Sequence, residues 1–182
     1  MLLRPVALPC DDPLSVAAPG ERGSEEARGG FHFSALTQAN AEAIARWHYR
    51  DPFSFYDWAE DPDDLGELLD PALRGDAYFA VEDGAGDLIG YFSFKRGDPG
   101  TLVIGLGLRP ERTGQGLGGA FLQAGLEYAR SRFEPANFAL SVATFNRRAI
   151  AVYERAGFKA VRVFMHSTNG GEWEFVEMRR EA

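Results

Sequence analysis

The sequence predicts a mixed α/β domain behind a lead-in without elements of its own. Three observations predict it. From residue 31 onward short apolar or aromatic runs alternate with helix-periodic segments, Gly-rich turns of hairpin type join several of the runs, and 45% of the 182 residues are hydrophobic with 13% aromatic. A chain of this length and composition is expected to bury one core.

Residues 1–30 mix Pro, Gly, Ser and charge with no period of 2 or 3.6, and read as a disordered lead-in that leaves 31–182 as the domain. Residues 31–36 (FHFSAL) suit a strand. Thr37 caps a helix from residue 38 to about 49, with Ala41, Ile44, Ala45 and His48 along one face. Residues 50–59 form an aromatic loop around Pro52. Pro62 opens a short helix over 63–70 that Pro71 stops. Residues 77–83 and 88–95, separated by Gly-Ala-Gly-Asp, make a hairpin, and 101–108 (TLVIGLGL) follows as a third antiparallel strand. The glycine-rich stretch 113–119 opens a helix to about Phe133. Residues 138–143 form a strand, Asn146 caps a helix over 147–156 that Gly157 ends, and FKAVRVFM and EWEFVEMRR are two strands around the turn 168–171.

Nineteen Lys plus Arg against 27 Asp plus Glu leave a net charge of −8, which argues against nucleic acid or an anionic membrane as partner. Cys10 is the single cysteine, so neither an internal disulfide framework nor a Cys-based zinc site is expected. No apolar run approaches the ~20 residues of a membrane helix, and the opening MLLRPVALPCDDP is broken by Pro5, Pro9 and Pro13. Neither anchor nor signal peptide is read there, and a cytoplasmic location is expected. His48 and His166 lack a third ligand at metal spacing, so they read as helix-face and turn residues, and no metal is expected.

RPERTGQGLGGAF places Gly114, Gly116, Gly118 and Gly119 between a strand and a helix. Missing side chains there free several backbone N–H groups to point at one anion, the makings of a phosphate cradle. An ordinary strand-to-helix turn needs one or two glycines. Residues 114–119 also satisfy G-x-G-x-x-G literally, but the next strand does not end in the acid that a dinucleotide site needs for its ribose, which counts against a nucleotide-dependent oxidoreductase. No Lys-Ser or Lys-Thr pair follows the glycines, so a P-loop is excluded.

RTGQGLGGAF followed by NRRAIAVYERAGF resembles the two cofactor motifs of the GCN5-related N-acetyltransferase (GNAT) superfamily, over roughly residues 31–180. The resemblance implies a three-layer domain: a mixed, mainly antiparallel sheet of six to seven strands, splayed at its central strands, with helices on both faces. It implies acetyl-coenzyme A as co-substrate, with Thr113, Gly114, Gln115, Gly116, Leu117, Gly118 and Gly119 at its pyrophosphate and Asn146 beside its arm. Thr113 departs from the family's Gln or Arg, and Arg112 next door is a replacement donor. The family's strand bulges and splays where this chain has Gly105 and Gly107, and backbone near Leu106 and Leu108 pairs with the pantetheine arm. Tyr153, seven residues after Asn146 and so on the same helix face, is the family's general acid toward the departing thiolate.

Residues 109–162 hold nine Arg or Lys against four acids, whereas 51–87 hold one Arg against twelve acids. The first region suits an anionic cofactor, the second a cationic acceptor such as an amine. The strand before the glycine loop carries no acid to serve as general base, which leaves Asp57, Glu60, Asp76 and Asp98 as candidates, or a base acting through water. Tyr56, Trp58 and Trp173 are candidates to enclose the acceptor, and Asp57 or Glu172 to hold its ammonium. The expected partner is a small-molecule amine or a protein amino-terminus, and the expected state a monomer or homodimer. A coenzyme A binding or regulatory module without catalysis is the alternative.

Overall fold

The computed structural model describes residues 2–3, 25–27 and 30–182. Seven strands from residue 31 onward make one sheet: β3 (Phe31–Ala35), β4 (Tyr78–Glu82), β5 (Leu88–Arg96), β6 (Thr101–Leu108), β7 (Asn137–Ala143), β8 (Lys159–Thr168) and β9 (Gly171–Glu181). Two short strands, β1 (Leu2–Leu3) and β2 (Glu25–Ala27), join it from the stretch expected to carry none. Open N–H and C=O groups on the edges of β3 and β6 suffice to pair even two or three residues. The rest of the lead-in lies outside the described residues. The order is β2-β3-β4-β5-β6-β7-β9-β8, with β1 on β6, and every pair is antiparallel except β6 with β7.

Helices α1 (Gln38–Ala45) and α2 (Pro62–Leu69) lie over one face, α4 (Gly118–Phe133) and α5 (Arg147–Arg155) over the other. Beneath α4 and α5 the core gathers Phe92, Leu106, Phe121, Phe138 and Tyr153; beneath α1 and α2 it gathers Ile44, Trp58, Leu68 and Tyr91. Strand β6 is therefore buried along its whole length, which is why it reads as a continuous apolar run. The expected three-layer architecture is present.

Two elements differ from expectation. The first helix stops at Ala45, because the Tyr49 N–H is taken by the Asp57 carboxylate at 2.9 Å and the backbone beyond Arg46 turns to meet it. Pro71 not only stops α2 but opens a further turn, α3 (Pro71–Arg74), whose first N–H groups Asp70 caps at Ala72, 2.8 Å away.

The sheet divides between β6 and β7. They pair only at Thr101, Leu102 and Val103 against Asn137, Phe138 and Ala139; beyond that β6 stays on β5 as far as Leu108, while β7 stays on β9 as far as Ala143. This is the expected splay. The expected bulge is absent, since the register of β5 on β6 runs unbroken from Arg96–Leu102 to Gly90–Leu108. Gly107 instead answers a close approach: a Cβ there would stand 2.4 Å from the Tyr91 ring.

Candidate active site

The strand, loop and helix between residues 101 and 133 present bare backbone at one place, which has the chemistry to receive an anion. Leu117 is the N-cap of α4 yet offers no side-chain acceptor, and the first turn carries no acid. The first helical bond runs from Phe121 N to Leu117 O, so the N–H groups of Gly118, Gly119 and Ala120 have no helical partner. Gly114 and Gly116 take φ of +75° and +79°, which an L side chain rarely adopts, and a Cβ on either would meet nothing within 4 Å. The loop therefore turns bare backbone toward open space. A cleft of about 310 Å³ lies there, lined by Leu108, Gly114, Gly116, Gly119, Arg148 and Arg155 among others.

The side chains of this loop point elsewhere. Thr113 Oγ1 donates to Pro110 O at 2.8 Å, Gln115 Nε2 donates to Glu111 O at 2.6 Å, and Leu117 packs against the core. Thr113 in place of Gln or Arg thus braces the loop from inside. Arg112 lines the cleft while its guanidinium bonds Asp83 at 2.8 Å.

Directly after β7 come Asn146, the N-cap of α5, and Tyr153 within that helix. Asn146 is buried and caps α5, its Oδ1 accepting from Ala149 N at 3.2 Å and its Nδ2 donating to the Tyr56 hydroxyl at 3.3 Å. Tyr153 is fully buried, and its hydroxyl has no hydrogen-bond partner among the described residues. A buried polar atom left unpaired costs about 1–3 kcal/mol, so its presence points to a ligand group that completes it. Burial, reinforced by Tyr56 and Tyr91, pushes this phenol well above its ordinary value, so it holds its proton at any physiological pH. Leu106 and Leu108 lie on the β6 edge of the gap, where β1 pairs Leu2 with Gly107 and Leu3 with Leu106. Tyr49 closes the far end, its hydroxyl donating to Leu108 O at 2.8 Å.

The opposite wall is assembled from distant segments. Asn169 Nδ2 donates to Phe55 O at 2.6 Å and Thr168 Oγ1 to Asp61 at 2.7 Å, which ties the β8–β9 turn to the loop after α1. Phe55 packs against Trp173 and Phe145, with ring centroids 4.9 and 5.3 Å away. Of the aromatics expected at the acceptor, Trp173 is exposed there, Tyr56 is buried at its base, and Trp58 belongs to the core against Tyr91. Trp58 was misleading because its place in an acidic loop masks its packing.

The expected bases fare unequally. Asp98 is bonded to Arg179 at 2.9 Å, and Glu60 and Asp76 are exposed. Glu172 accepts from Ser167. Asp57 is buried, one oxygen accepting from Tyr49 N and the other meeting the His48 ring Nδ1. His48 thus lies beyond the end of α1 rather than on its face. A signal was present in sequence, a lone imidazole between aromatics with an acid nine residues on, but its meaning depends on the loop geometry. Among the described residues no group of His, Cys, Asp and Glu gathers at metal spacing, and no helix is long and apolar enough to cross a membrane.

Residues 41–158 match the model of the acetyltransferase (GNAT) family. Two mycothiol acetyltransferases are similar, from Salinispora tropica (36% identical) and Salinispora arenicola (37% identical), each over 94 residues that cover 49% of this chain and 31% of the relative. The match thus spans about a third of those relatives. Among solved structures, spermidine N-acetyltransferase from Vibrio cholerae with CoA and spermine superposes at a TM-score of 0.69 and 22% identity, covering 85% of this chain and 96% of that one. A GNAT-family acetyltransferase from Bacillus anthracis does so at 0.68 and 16%, covering 87% and 98%.

Proposed function

This chain belongs to the acetyltransferase (GNAT) family, and we propose that it transfers the acetyl group of acetyl-coenzyme A directly to a primary amine within a ternary complex. The observation that carries the reading is the conjunction, in one domain, of bare glycine backbone at the start of α4, a sheet that parts between β6 and β7, and an unpartnered, fully buried tyrosine hydroxyl.

The residues fit the co-substrate. Backbone N–H groups from Gly114 through Gly119, extended by the uncapped start of α4, hold the pyrophosphate, with Arg148 and Arg155 on the same cleft, while the Thr113 N–H is spent on Pro110 O at 3.1 Å. Backbone of Leu106 and Leu108 pairs with the pantetheine arm in the gap, where one N–H steadies the thioester carbonyl as charge develops. Asn146 holds the start of α5 beside the arm. When bound, the molecule supplies an activated thioester. Tyr153, protonated and without a partner for its hydroxyl among the described residues, donates its proton to the sulfur as the thiolate leaves. Strand β1 occupies the same edge of β6, so the arm displaces it on entry.

The acceptor arrives from the side of the α1–α2 loop and the β8–β9 turn, where acids outnumber bases and Trp173 is exposed, which suits a cation. Polyamines such as the spermine bound by the Vibrio cholerae spermidine N-acetyltransferase come first, followed by amino sugars, amino acids and peptide amino-termini. The setting is the cytoplasm, with no nucleic acid or membrane partner. Release of free thiol from acetyl-coenzyme A across that panel tests the reading. Turnover with one amine class is expected; cofactor binding with no thiol released on any amine would make the chain a binding module instead.

A further inference from the structure

Transfer to an amine requires a group that takes the ammonium proton, and β6 supplies no carboxylate. The larger cleft on the α1–α2 side, about 530 Å³, includes Asn146 and Thr113 in its wall and so adjoins the gap. Three side chains of that wall are able to accept a proton: Asp51, Glu111 and His48. Asp51 accepts from Ser54 Oγ, and Glu111 is paired with Arg109 at 3.0 Å. His48 differs. Its side chain is 80% exposed, and its Nδ1 is held by Asp57, whose side chain is only 7% exposed and whose other oxygen is fixed by Tyr49 N. The same Tyr49 reaches β6 through its hydroxyl on Leu108 O, so the imidazole is braced against the strand that forms one edge of the gap.

We propose that His48 is the general base of this site, with Asp57 as its positioning residue. Nδ1 carries its proton toward Asp57, so Nε2 is left with a lone pair directed to the cleft. It takes one proton from the incoming ammonium, directly or through one water; the freed amine then attacks the thioester carbonyl, the C–S bond breaks, the sulfur leaves with the proton of Tyr153, and the second proton shed by the new amide nitrogen restores the Tyr153 phenol. Other charges around the ring are Arg46, Arg50 and Asp51 on its own segment, Arg109 and Glu111 before the glycine loop, and Arg148 on α5. The inference rests on the acetyltransferase reading, and the experiment separates the two.

In the whole 182-residue chain His48→Gln keeps a donor for Asp57 and removes the base. With spermidine as acceptor, or the best amine of the panel, kcat/KM is expected to fall about 100-fold, with the acid limb of the wild-type pH profile absent and acetyl-coenzyme A affinity within twofold. Asp57→Asn loses about tenfold, and the double variant no more than His48→Gln alone, because Asp57 acts through His48. A His48→Gln rate within threefold of wild type, or an unchanged acid limb, overturns the proposal. Carbethoxylation mapped by mass spectrometry needs no turnover: His48 reacts in the free protein and is protected at saturating coenzyme A. Equal labelling with calorimetrically confirmed coenzyme A bound also overturns it. Absent cofactor binding would instead remove the acetyltransferase reading.

Discussion

The two walls of the cleft are made by different means. On the proposed cofactor side the chemistry resides in backbone: unpaired N–H groups at the start of α4, two glycines at positive φ, and a strand edge released where β6 parts from β7. That backbone comes from one stretch of chain, residues 101–133, with Asn146, Arg148, Tyr153 and Arg155 added from α5 and its cap. On the acceptor side the chemistry resides in side chains that meet across long separations, Thr168 with Asp61, Asn169 with Phe55, Trp173 against Phe55 and Phe145. A backbone site is specified by which side chains are missing. A side-chain site is specified by where the loops come to rest.

If that division holds, substitutions on one wall leave the other's ligand alone. The largest effect is expected from Tyr153→Phe, which removes a proton donor and nothing else: kcat falls at least about 100-fold while acetyl-coenzyme A affinity stays within twofold. Because the hydroxyl is buried without a partner, the melting temperature of this variant stays the same or rises. A parallel loss of cofactor binding would mean that Tyr153 shapes the gap instead. Next is Trp173→Ala on the acceptor wall, which raises KM for the amine about fivefold, the worth of one aromatic contact near 1 kcal/mol, with acetyl-coenzyme A affinity untouched in calorimetry. Replacing Leu2 and Leu3 together by proline deprives β1 of its N–H donors. That tightens acetyl-coenzyme A about two- to threefold by equilibrium titration, since β1 and the arm share one edge of β6.

The smallest effect concerns stability. Glu177 is buried in the β9 strand; burial alone raises its carboxyl, but bonds from Arg162 and Arg179 at 2.6 Å outweigh that and hold it below its usual value. A depressed carboxyl stabilises the fold above its unfolded value near 4.5, and the contribution fades as pH falls through the lower folded value. Glu177→Gln should therefore lower the melting temperature by a few degrees at pH 7, with the gap to wild type closing in acid. A gap that stays constant with pH would assign the loss to packing.

Much of the fold was legible from residue 31 onward, because caps and turns marked its elements. Thr37, Asn146 and Gly157 sit at the helix ends where their chemistry places them. The glycine loop was legible for the same local reason. The end of α1 was not, because it is decided by Asp57 reaching back to Tyr49, a tertiary bond with no signature in the helical period. The sequence offers Asp57 as an acid near the expected acceptor, but its burial against His48 depends on how residues 50–60 fold into two tight turns. Nor does the sequence say that the Leu2–Leu3 backbone lies on β6, since two apolar residues carry no pattern.

The central claim is that bare backbone beside the parted strands holds acetyl-coenzyme A, and calorimetric titration of the wild type alongside Gly116→Val tests it most directly. Gly116 sits at φ +79°, where a β-branched side chain is strained and would project into the cleft. The account predicts micromolar binding to the wild type, about −8 kcal/mol, with no affinity for NAD or NADP, and a loss of at least about 100-fold in the variant. Equal affinity in both proteins, or none in the wild type, would contradict it.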